Sequence, residues 1–320
     1  MSVVSVVSAV SVLGAVGQAW AQTYPGKPVR IIVPYPPGGG VDVVARVVGR
    51  RLADTLAQPV LVENRGGAAG VLGADIVAKA SPDGYTMGLL TSTLLMTPAL
   101  QKVPYDTARD FAPIILFATV PNILVVHPSL PARNLQELMQ LARARPGELT
   151  HATSGNGSVP HLMMELLRTM TPRFDIVHVP YKGNAQAIND LLGGHVTMHI
   201  SSMLSATPYV KSGRLRPIAV TSGQRARALP QVPTFAEAGA AGYDVSSLWG
   251  FLAPAQTPAD IVNRLYSDIG KIIKYPDVND QLAGQGANIS GAGPQEYGRL
   301  MQLELAKWPK VVAAARIKAE

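Results

Sequence analysis

Cysteine is absent from the 320 residues of this sequence. Its absence excludes disulfide bonds, thiolate metal sites and cysteine nucleophiles. Charged residues are also scarce, at 15 %, and aromatic residues make up 6 %. Because 47 % of the residues are hydrophobic, the composition excludes a disordered chain and predicts a well-packed globular protein. A chain of this length has room for two domains of ordinary size.

Runs of like charge are missing as well, although the formal net charge is +7. Lys and Arg are scattered along the chain, and Arg50-Arg51 is their only adjacent pair. Nucleic-acid binding requires clustered basic residues, so we predict no nucleic-acid partner. A weak positive field of this kind helps to gather small anions.

Charge is lacking altogether from residues 3–20. This apolar stretch is followed by Ala21, and the sequence Ala19-Trp20-Ala21 is a small-x-small pattern typical of a signal-peptide cleavage site. We therefore predict that residues 1–21 are a secretory signal peptide. The alternative is a transmembrane anchor, since about 20 apolar residues suffice to cross a bilayer.

The most informative stretch, residues 29–46, is predicted to form a strand, a glycine loop and a helix. Residues 29–33 are a short β-branched run typical of a buried strand, and three prolines end it because proline cannot donate to a ladder. A helix is predicted to begin just after the glycines, so its unpaired N-terminal amides face the loop and favour a carboxylate or phosphate. The prolines are Pro34, Pro36 and Pro37, the glycines are Gly38, Gly39 and Gly40, and the apolar helical positions are Val41, Val44, Ala45, Val48 and Leu52.

Two nucleotide-binding motifs are excluded for this loop. A P-loop ends in Gly-Lys-Ser or Gly-Lys-Thr, whereas Val41-Asp42 follows the glycines here. The dinucleotide fingerprint needs a third glycine at the position of Val43. The remaining alternative to an anion site is a tight turn that binds no ligand.

Strand and helix patterns alternate along the rest of the chain, which predicts an α/β fold with mainly parallel sheets. The β-prone stretch 114–127, broken at Pro121, and the strand 216–221 are predicted to cross between two lobes. We predict that residues 22–122 and 228–320 form lobe 1 and that residues 123–227 form lobe 2. A short helix is predicted within residues 229–239.

Ligands of such sheets lie beyond the carboxyl ends of the strands. The third predicted strand ends at Thr91-Ser92, so this segment is expected to line the same cleft as the first glycine loop. A second glycine loop, Ser154-Gly155-Asn156-Gly157-Ser158, follows a predicted strand that ends at Thr153. It precedes a helix predicted for residues 162–170. Ser158 is expected to cap that helix, to bind a ligand, or to do both.

Histidines offer two further kinds of chemistry. His195 and His199 are predicted to lie on one strand with no third ligand nearby, so we predict no metal site and no cofactor. A serine hydrolase would use Ser158 with His161, but the loop lacks the Gly-x-Ser-x-Gly form of such enzymes. We predict that the protein is not an enzyme, with a serine hydrolase as the alternative. His161 is a candidate ligand donor or a first-turn histidine bonded locally.

At this point the residues resemble those of a known family, the Bug (Bordetella uptake gene) or TctC-like substrate-binding proteins of tripartite tricarboxylate transporters. The resemblance covers the whole chain after the predicted signal peptide, and its motifs occur in family order. They are Tyr24-Pro25 with Lys27-Pro28; Val33-Pro34-Tyr35-Pro36-Pro37-Gly38-Gly39 with Asp42 and Ala45-Arg46; Val62-Glu63-Asn64-Arg65 with Gly67-Ala68 and Gly70; Pro82-Asp83-Gly84-Tyr85-Thr86; Ser154-Gly155 with Gly157-Ser158; His178-Val179-Pro180-Tyr181-Lys182-Gly183; Pro230 with Val232-Pro233-Thr234 and Glu237-Ala238-Gly239; Trp249-Gly250; and Ala253-Pro254 with Thr257-Pro258.

The resemblance implies a two-lobed periplasmic binding protein of type II-like architecture. Each lobe is then a mainly parallel sheet flanked by helices, and the cleft between the lobes closes over a small carboxylate. The resemblance also implies a periplasmic location and transient docking on integral-membrane transporter subunits, and we expect a monomer. The alternative partner is the outer domain of a sensor kinase.

Within the family, one ligand carboxylate contacts backbone amides of the first glycine loop and of the loop matching residues 153–158. A second polar end is often held through waters. Tyr35 and Pro36 are expected to pack against the apolar body of the ligand. The complete set of candidate ligand-binding residues is Tyr35, Pro36, Pro37, Gly38, Gly39, Gly40, Asp42, Thr91, Ser92, Thr153, Ser154, Gly155, Asn156, Gly157, Ser158, His161, Tyr181, Ser201 and Ser202.

One departure from the family bears on the ligand. Many members carry an acidic residue after the glycine pair that matches Gly193-Gly194, and another near Ser201. This chain has Thr197 and Ser201-Ser202 in those places. Recognition of an amino group is therefore disfavoured, and the expected ligand is an aliphatic dicarboxylate, a hydroxy acid or an aromatic carboxylate.

Overall fold

The computed structural model describes residues 24–171 and 174–315, which form one ten-stranded sheet flanked by helices. The predicted signal peptide lies outside these residues. The strands are β1 (Val29–Val33), β2 (Val60–Asn64), β3 (Thr86–Thr91), β4 (Phe111–Val126), β5 (Thr150–Thr153), β6 (Val177–Pro180), β7 (Met198–Ser202), β8 (Arg216–Val220), β9 (Ser246–Pro254) and β10 (Asn288–Ala292). The helices are α1 (Gly40–Leu56), α2 (Val71–Ala78), α3 (Thr93–Met96), α4 (Leu135–Ala144), α5 (Val159–Met170), α6 (Asn184–Leu192), α7 (Met203–Lys211), α8 (Ala259–Ile272), α9 (Pro276–Ala283) and α10 (Pro294–Ala315).

The sheet runs in the order β2-β1-β3-β9-β4-β7-β5-β6, and β8 and β10 pair with β4 away from this path. The α/β class is therefore confirmed. β1 is parallel to β2 and β3, and β5 is parallel to β6 and β7. β4 is antiparallel to β7, β8, β9 and β10, and β3 is antiparallel to β9. The expectation of mainly parallel sheets thus holds for the outer strands and is wrong for the middle ones, where the chain crosses back.

The long strand β4 joins two halves of the sheet. Its first part, up to Pro121, pairs with β9, and Asn122 to Val126 pair with β7. We call β1, β2, β3, β9 and β10 with the first part of β4 the first half-sheet, and β5, β6, β7 and β8 with its last part the second half-sheet. The predicted crossing occurs here, but the predicted break at Pro121 is wrong. Pro121 stands opposite Ser246 at the end of the β9 ladder, where a missing N–H costs little.

The core forms on both sides of this junction. Val44, Val48 and Leu52 of α1 are buried against the first half-sheet together with Leu265 and Ile269 of α8, as the helical spacing predicts. The second half-sheet has its own cluster, which includes Leu162 and Leu167 of α5 and the fully buried Trp308 of α10. α10 thus contacts both halves, with Trp308 in the core of the second half-sheet and Tyr297 and Met301 packed with residues of the first, whereas residues 228–320 are predicted to belong to lobe 1. The lobe boundaries remain a prediction.

Several elements differ from the sequence-based expectations. α5 begins at Val159, three residues earlier than predicted, because Pro160 fits the first helical turn. α7 was not predicted, since Pro208 stands inside it. β10 was also not predicted. The short helix expected within residues 229–239 is wrong, and turns occupy this segment.

Among the described residues, no helix is both long and apolar enough to cross a membrane.

Candidate functional site

A cleft lies where the carboxyl ends of β1 and β3 meet the second half-sheet, and it encloses about 550 Å³ when the part open to solvent is included. Loops after parallel strands converge there, as expected for an α/β sheet. Eight of the predicted site residues line it: Tyr35, Pro36, Gly39, Gly40, Asp42, Thr91, Ser154 and Ser202. The lining also contains residues that sequence reasoning missed, namely Val41, Thr93, Asn122, Val159, Pro160, Asn184, Ala185, Ser205, Ser247 and Trp249.

Asp42 fixes the first glycine loop. One carboxylate oxygen accepts from the amide of Gly38 at 3.0 Å and from Arg46 Nε at 3.1 Å, and the other accepts from Asn64 Nδ2 at 2.9 Å. Burial alone would raise the pKa of Asp42, but these hydrogen bonds outweigh it and hold that pKa below its usual range. The Asp42 carboxylate therefore holds the loop in place instead of offering a free charge to a ligand.

The N-terminus of α1 opens into the cleft. Its N-cap is Gly39, which has no side chain to bond the first-turn amides. A Cβ on Gly39 would meet no protein atom within 4 Å, so open space lies in front of it. The next residue is tightly enclosed, because a Cβ on Gly40 would lie 2.9 Å from Trp249 Cη2. The predicted helix start is confirmed.

A serine from the second half-sheet contacts this helix end. Ser205 Oγ accepts from the Gly40 amide at 3.0 Å and from the Ser202 hydroxyl at 3.0 Å. Ser205 belongs to α7, the helix that the sequence did not reveal. A hydroxyl group thus already satisfies one amide at the place predicted for an anion.

Tyr35 and Thr91 form one wall of the cleft. Their hydroxyl oxygens are 2.8 Å apart, and Asn64 Nδ2 donates to the Tyr35 carbonyl at 3.0 Å. Burial raises the pKa of the Tyr35 phenol, although hydrogen bonds with Thr91 and Thr93 oppose this rise. The tyrosine is therefore a neutral, fixed ring against which an apolar body can pack.

The second glycine loop is held mainly by its own contacts. Thr153 Oγ1 lies 2.6 Å from His178 Nε2 and accepts from the Gly155 amide at 3.2 Å. His161 Nδ1 accepts from the Gly157 amide at 3.1 Å, so the locally bonded histidine is the arrangement found. Of this loop, Ser154 lines the cleft. The lining does not include Thr153, Gly155, Asn156, Gly157, Ser158 or His161.

Ser158 occupies the predicted N-cap position of α5, but its side chain makes no cap hydrogen bond. Within the described part of the chain its buried Oγ has no hydrogen-bond partner, and the same holds for Asn156 Oδ1. The pair Ser158 and His161 therefore lacks the nucleophile-to-base hydrogen bond that a serine hydrolase needs.

The other predicted residues also lie outside the cleft lining. Tyr181 donates through its hydroxyl to Asp190 Oδ2 at 2.6 Å, and burial with this carboxylate raises the pKa of Tyr181 to about 12. Ser92 Oγ accepts from the Leu248 amide at 2.7 Å. Ser201 contacts Asn184, and Pro37 and Gly38 are exposed on the loop.

Two missed residues carry amide side chains. Asn184 begins α6 directly after Gly183, which is the glycine-before-helix signature that identified the other loops, so the sequence did contain a signal for it. Asn122 stands in β4 opposite Ser202 and has no local signal, because its position depends on strand pairing. Considering only the described residues, Asn122 Nδ2 and Asn184 Nδ2 are buried and have no hydrogen-bond partner.

The two half-sheets touch closely around the cleft. A Cβ on Gly183 would lie 2.7 Å from Pro36 Cδ, and Thr97 Oγ1 donates to the Gly157 carbonyl at 3.2 Å. Together with the bond from Gly40 to Ser205, these contacts join the first glycine loop and the turn after α3 to the second half-sheet. The structure is therefore that of a cleft with its two sides in contact.

A metal site is not formed by the predicted histidines. His199 lies in β7, but His195 lies before the strand, in the turn where its amide donates to the Asp190 carbonyl at 2.9 Å. The prediction that both share a strand is therefore wrong. Across residues 24–171 and 174–315, no group of three or more His, Asp or Glu residues is arranged to hold a metal ion.

Comparison with known proteins identifies the family. The model of the "Tripartite tricarboxylate transporter family receptor" matches residues 44–317. Protein BugT of Bordetella pertussis is 37 % identical over 306 residues, which cover 95 % of this chain and 94 % of BugT.

Two solved structures are also similar. Rpa4515 of R. palustris, solved with adipate, is 37 % identical with a TM-score of 0.88, and the match covers 92 % of this chain and 99 % of that one. MatC (Rpa3494) of Rhodopseudomonas palustris, solved with bound malate, is 30 % identical with a TM-score of 0.85, and the match covers 90 % and 100 %. The family and its structural neighbours are solute-binding proteins and not enzymes, which contradicts the hydrolase alternative. The chain belongs to the Bug/TctC family of periplasmic solute-binding proteins, the receptors of tripartite tricarboxylate transporters.

Proposed function

We propose that this protein captures a small carboxylate in the cleft between its half-sheets and delivers it, in the periplasm, to the membrane subunits of a tripartite tricarboxylate-type transporter. The observation that carries the proposal is the chemistry of the cleft. A glycine-capped helix end, hydroxyl groups and two amide side chains line it, and among the described lining residues the one carboxylate, that of Asp42, is already bonded. Such a surface offers hydrogen-bond donors and a positive helix end but no free negative charge, so it suits an anionic ligand.

In this proposal, the first carboxylate contacts backbone amides at the helix end beside Gly39, with Ser154 and Ser205 supplying hydroxyl groups from the opposite side. Ser205 Oγ accepts from Gly40 and Ser202, so its own hydrogen can be donated to the ligand. Tyr35 and Pro36 contact the apolar body of the ligand. The predicted residues that are not part of the lining act indirectly, because their hydrogen bonds fix the two glycine loops that contact the ligand. The relatives solved with adipate and malate support a carboxylate ligand for this chain.

Capture proceeds by hinge closure. The open form exposes both glycine loops, an anion docks on the helix end, and the second half-sheet then closes over it. Closure is a shift of an existing equilibrium, so the ligand must bind the closed form better than the open one. The protein acts as a monomer in this scheme.

A thermal-shift screen of residues 22–320 against mono-, di- and tricarboxylates, aromatic acids and amino acids tests the proposal. A ligand at 100 times its dissociation constant adds about 2.7 kcal/mol to the free energy of unfolding, which raises the melting temperature clearly. A hit among the carboxylates is expected. Binding confined to amino acids would contradict it, and a flat panel would do so once mass spectrometry shows that no acid had co-purified.

The transporter partnership needs a separate test. The liganded protein is expected to retain its membrane subunits in a pull-down, and the ligand-free protein to retain them less. If the liganded protein instead retained the outer domain of a sensor kinase, its function would be ligand signalling and not delivery to a transporter.

A further inference from the structure

His199 is a fully buried imidazole behind the cleft, and both of its ring nitrogens contact oxygen atoms. Nδ1 lies 2.7 Å from the carbonyl oxygen of Ala152, and Nε2 lies 2.8 Å from Oδ1 of Asn184. A carbonyl oxygen can only accept, so this arrangement requires a proton on each ring nitrogen. It therefore requires a cationic ring.

A cation is not stable at that position. Neither Ala152 nor Asn184 carries a charge that would compensate it, and the buried ring of His151 lies 6.4 Å away between centroids. Burial lowers the pKa of His199 to about 4, so the ring is neutral at neutral pH. The single proton of the neutral ring is on Nδ1, because the Ala152 carbonyl can only accept a hydrogen bond. Nε2 then presents a lone pair, which needs a donor.

The side chain of Asn184 supplies that donor when its amide turns by 180°, which exchanges Oδ1 and Nδ2 and moves no other group. With Oδ1 towards His199, Nδ2 is buried and has no partner among the described residues. In the turned arrangement Nδ2 donates to His199 and the carbonyl oxygen takes the other position. Ser201 Oγ, 3.2 Å from the atom that faces His199, then accepts from Nδ2 and still donates to the Ser202 carbonyl at 3.4 Å. The imidazole, the amide NH₂ group and the Ser201 hydroxyl are then all satisfied, and the carbonyl oxygen of Asn184 is left without a partner among the described residues.

We propose that Asn184, oriented by His199, presents its carbonyl oxygen to the cleft and there accepts a hydrogen bond from a hydroxyl group of the ligand. Asn184 is one of the residues that line the cleft, and its second amide atom is a buried polar atom without a partner in the described chain, which a ligand hydroxyl would satisfy. The inference rests on the proposed carboxylate function, because the hydroxyl belongs to the same ligand. Asn184 is thus a specificity-determining residue, and His199 is a positioning residue.

An ammonium group would also donate to this oxygen, but the cleft does not suit one. Among the described lining residues, the carboxylate is that of Asp42, and its oxygens are occupied by Gly38, Arg46 and Asn64. A buried ammonium without a counter-charge is strongly disfavoured. A hydroxyl is neutral and needs only the acceptor.

Asn122 extends the pattern. Its Nδ2 is a buried donor that lacks a partner within the described chain, and Asn122 also lines the cleft. It stands opposite Ser202 in the sheet, and the adjacent Ser201 contacts Asn184. A donor for a carboxylate oxygen therefore lies near an acceptor for a hydroxyl. This combination fits a 2-hydroxy acid, in which the two groups are on neighbouring carbons.

Calorimetric titration with matched acids tests the proposal. The probes are 2-hydroxyglutarate against glutarate, malate against succinate, and lactate against propionate. For the pair that fits the cleft, the hydroxy acid is expected to bind at least about tenfold more tightly, since its deoxy analogue leaves a buried acceptor unpaired. Asn184→Ala is expected to bring the two affinities within about threefold of each other. Asn189→Ala, an exposed change on the same helix, is expected to keep the full ratio.

His199 has its own readout. His199→Leu removes the group that orients the amide and is expected to reduce the hydroxy-to-deoxy ratio, whereas His195→Leu at an exposed imidazole is not. Nitrogen-15 NMR of the unliganded protein at pH 7 is expected to show Nδ1 protonated and Nε2 bare. A doubly protonated ring would overturn the orientation of Asn184.

The outcomes separate the two proposals. If acids bind but every hydroxy-to-deoxy ratio is near one, or favours the deoxy acid, carboxylate capture stands and the hydroxyl contact is wrong. If no acid of either kind binds, both proposals fail.

Discussion

Gly183 and Pro36 meet across the cleft so closely that a Cβ on Gly183 would lie 2.7 Å from Pro36 Cδ. The φ of Gly183 is 171°, an extended value that any residue adopts, so only the opposing proline requires a glycine here. Gly183→Ala is therefore expected to obstruct closure without straining the backbone. Ligand affinity should fall about fivefold or more, since overpacking costs at least about 1 kcal/mol. Calorimetric titration of the variant and the parent, with the acid that gives the largest thermal shift in the screen, measures this change in affinity.

The control for that change is Gly270→Ala in α8, where a Cβ meets nothing within 4 Å. It is expected to leave the affinity unchanged. If Gly183→Ala bound as tightly as the parent, the contact between Pro36 and Gly183 would have no part in closure.

Gly39 offers a second steric test, directed at the ligand instead of the closing motion. Its Cβ position faces open cleft space, so Gly39→Val places two methyl groups where the carboxylate is proposed to approach the helix end. Binding should weaken by more than about tenfold, since displaced amide contacts to a charged group are each worth about 1.5–3 kcal/mol. Gly39→Ala should have a smaller effect, and the melting temperature without ligand should change little. A folded Gly39→Val protein with parental affinity would remove this loop from the site.

Much of this site could be predicted, because local sequence encodes it. Gly39 and Gly40 lie before an amphipathic stretch, and Ser154 lies in the second glycine loop, so strand-loop-helix patterns were enough to place them at strand ends. These residues do line the cleft. The antiparallel middle of the sheet was missed because pairing between β4 and β9 depends on chain segments far apart, which no local pattern records.

The residues that sequence reasoning missed share this cause. Asn122 reaches the cleft through its register with Ser202, and Ser205 reaches it from a helix whose internal Pro208 hides the pattern. Conversely, His161 and Tyr181 carry polar groups that suit a ligand and lie on the expected loops. Each already has a protein partner, because His161 accepts from the Gly157 amide and Tyr181 donates to Asp190. Side-chain partners of this kind cannot be read from a motif.

Asp42 provides a test of loop stability. Its buried carboxylate bonds Gly38, Arg46 and Asn64, so Asp42→Ala leaves at least the Gly38 amide and the Asn64 side chain without this acceptor. The free energy of unfolding is expected to fall by about 1–3 kcal/mol, and ligand affinity should fall with it because the loop loosens. Urea denaturation measures the first effect. Asp54→Ala, an exposed change on the same helix, is the control and should be nearly neutral.

His199 makes the stability of the fold depend on pH. Burial lowers its pKa from the ordinary value of 6.5 to about 4 in the folded protein, and burial also lowers the pKa of His151. The unfolded chain therefore binds the extra proton first as the pH falls. The free energy of unfolding should decrease between pH 6.5 and pH 4, with about 3 kcal/mol of the loss due to His199.

Urea midpoints measured from pH 7.5 to pH 4.5 test this dependence. His199→Gln should be less stable than the parent at pH 7.5, because the Ala152 carbonyl and the Asn184 amide lose their partner. Its stability should nevertheless change less with pH, since the titrating ring is gone, and the remaining slope then comes from His151 and the carboxylates. His195→Gln, at an exposed position, should keep the parental slope. An unchanged slope in His199→Gln would mean that folding does not shift the pKa of His199, which would contradict this prediction. A steeper loss of stability in the variant than in the parent would mean that the ring is protonated in the folded protein, which would also return the Asn184 amide hydrogens to the cleft.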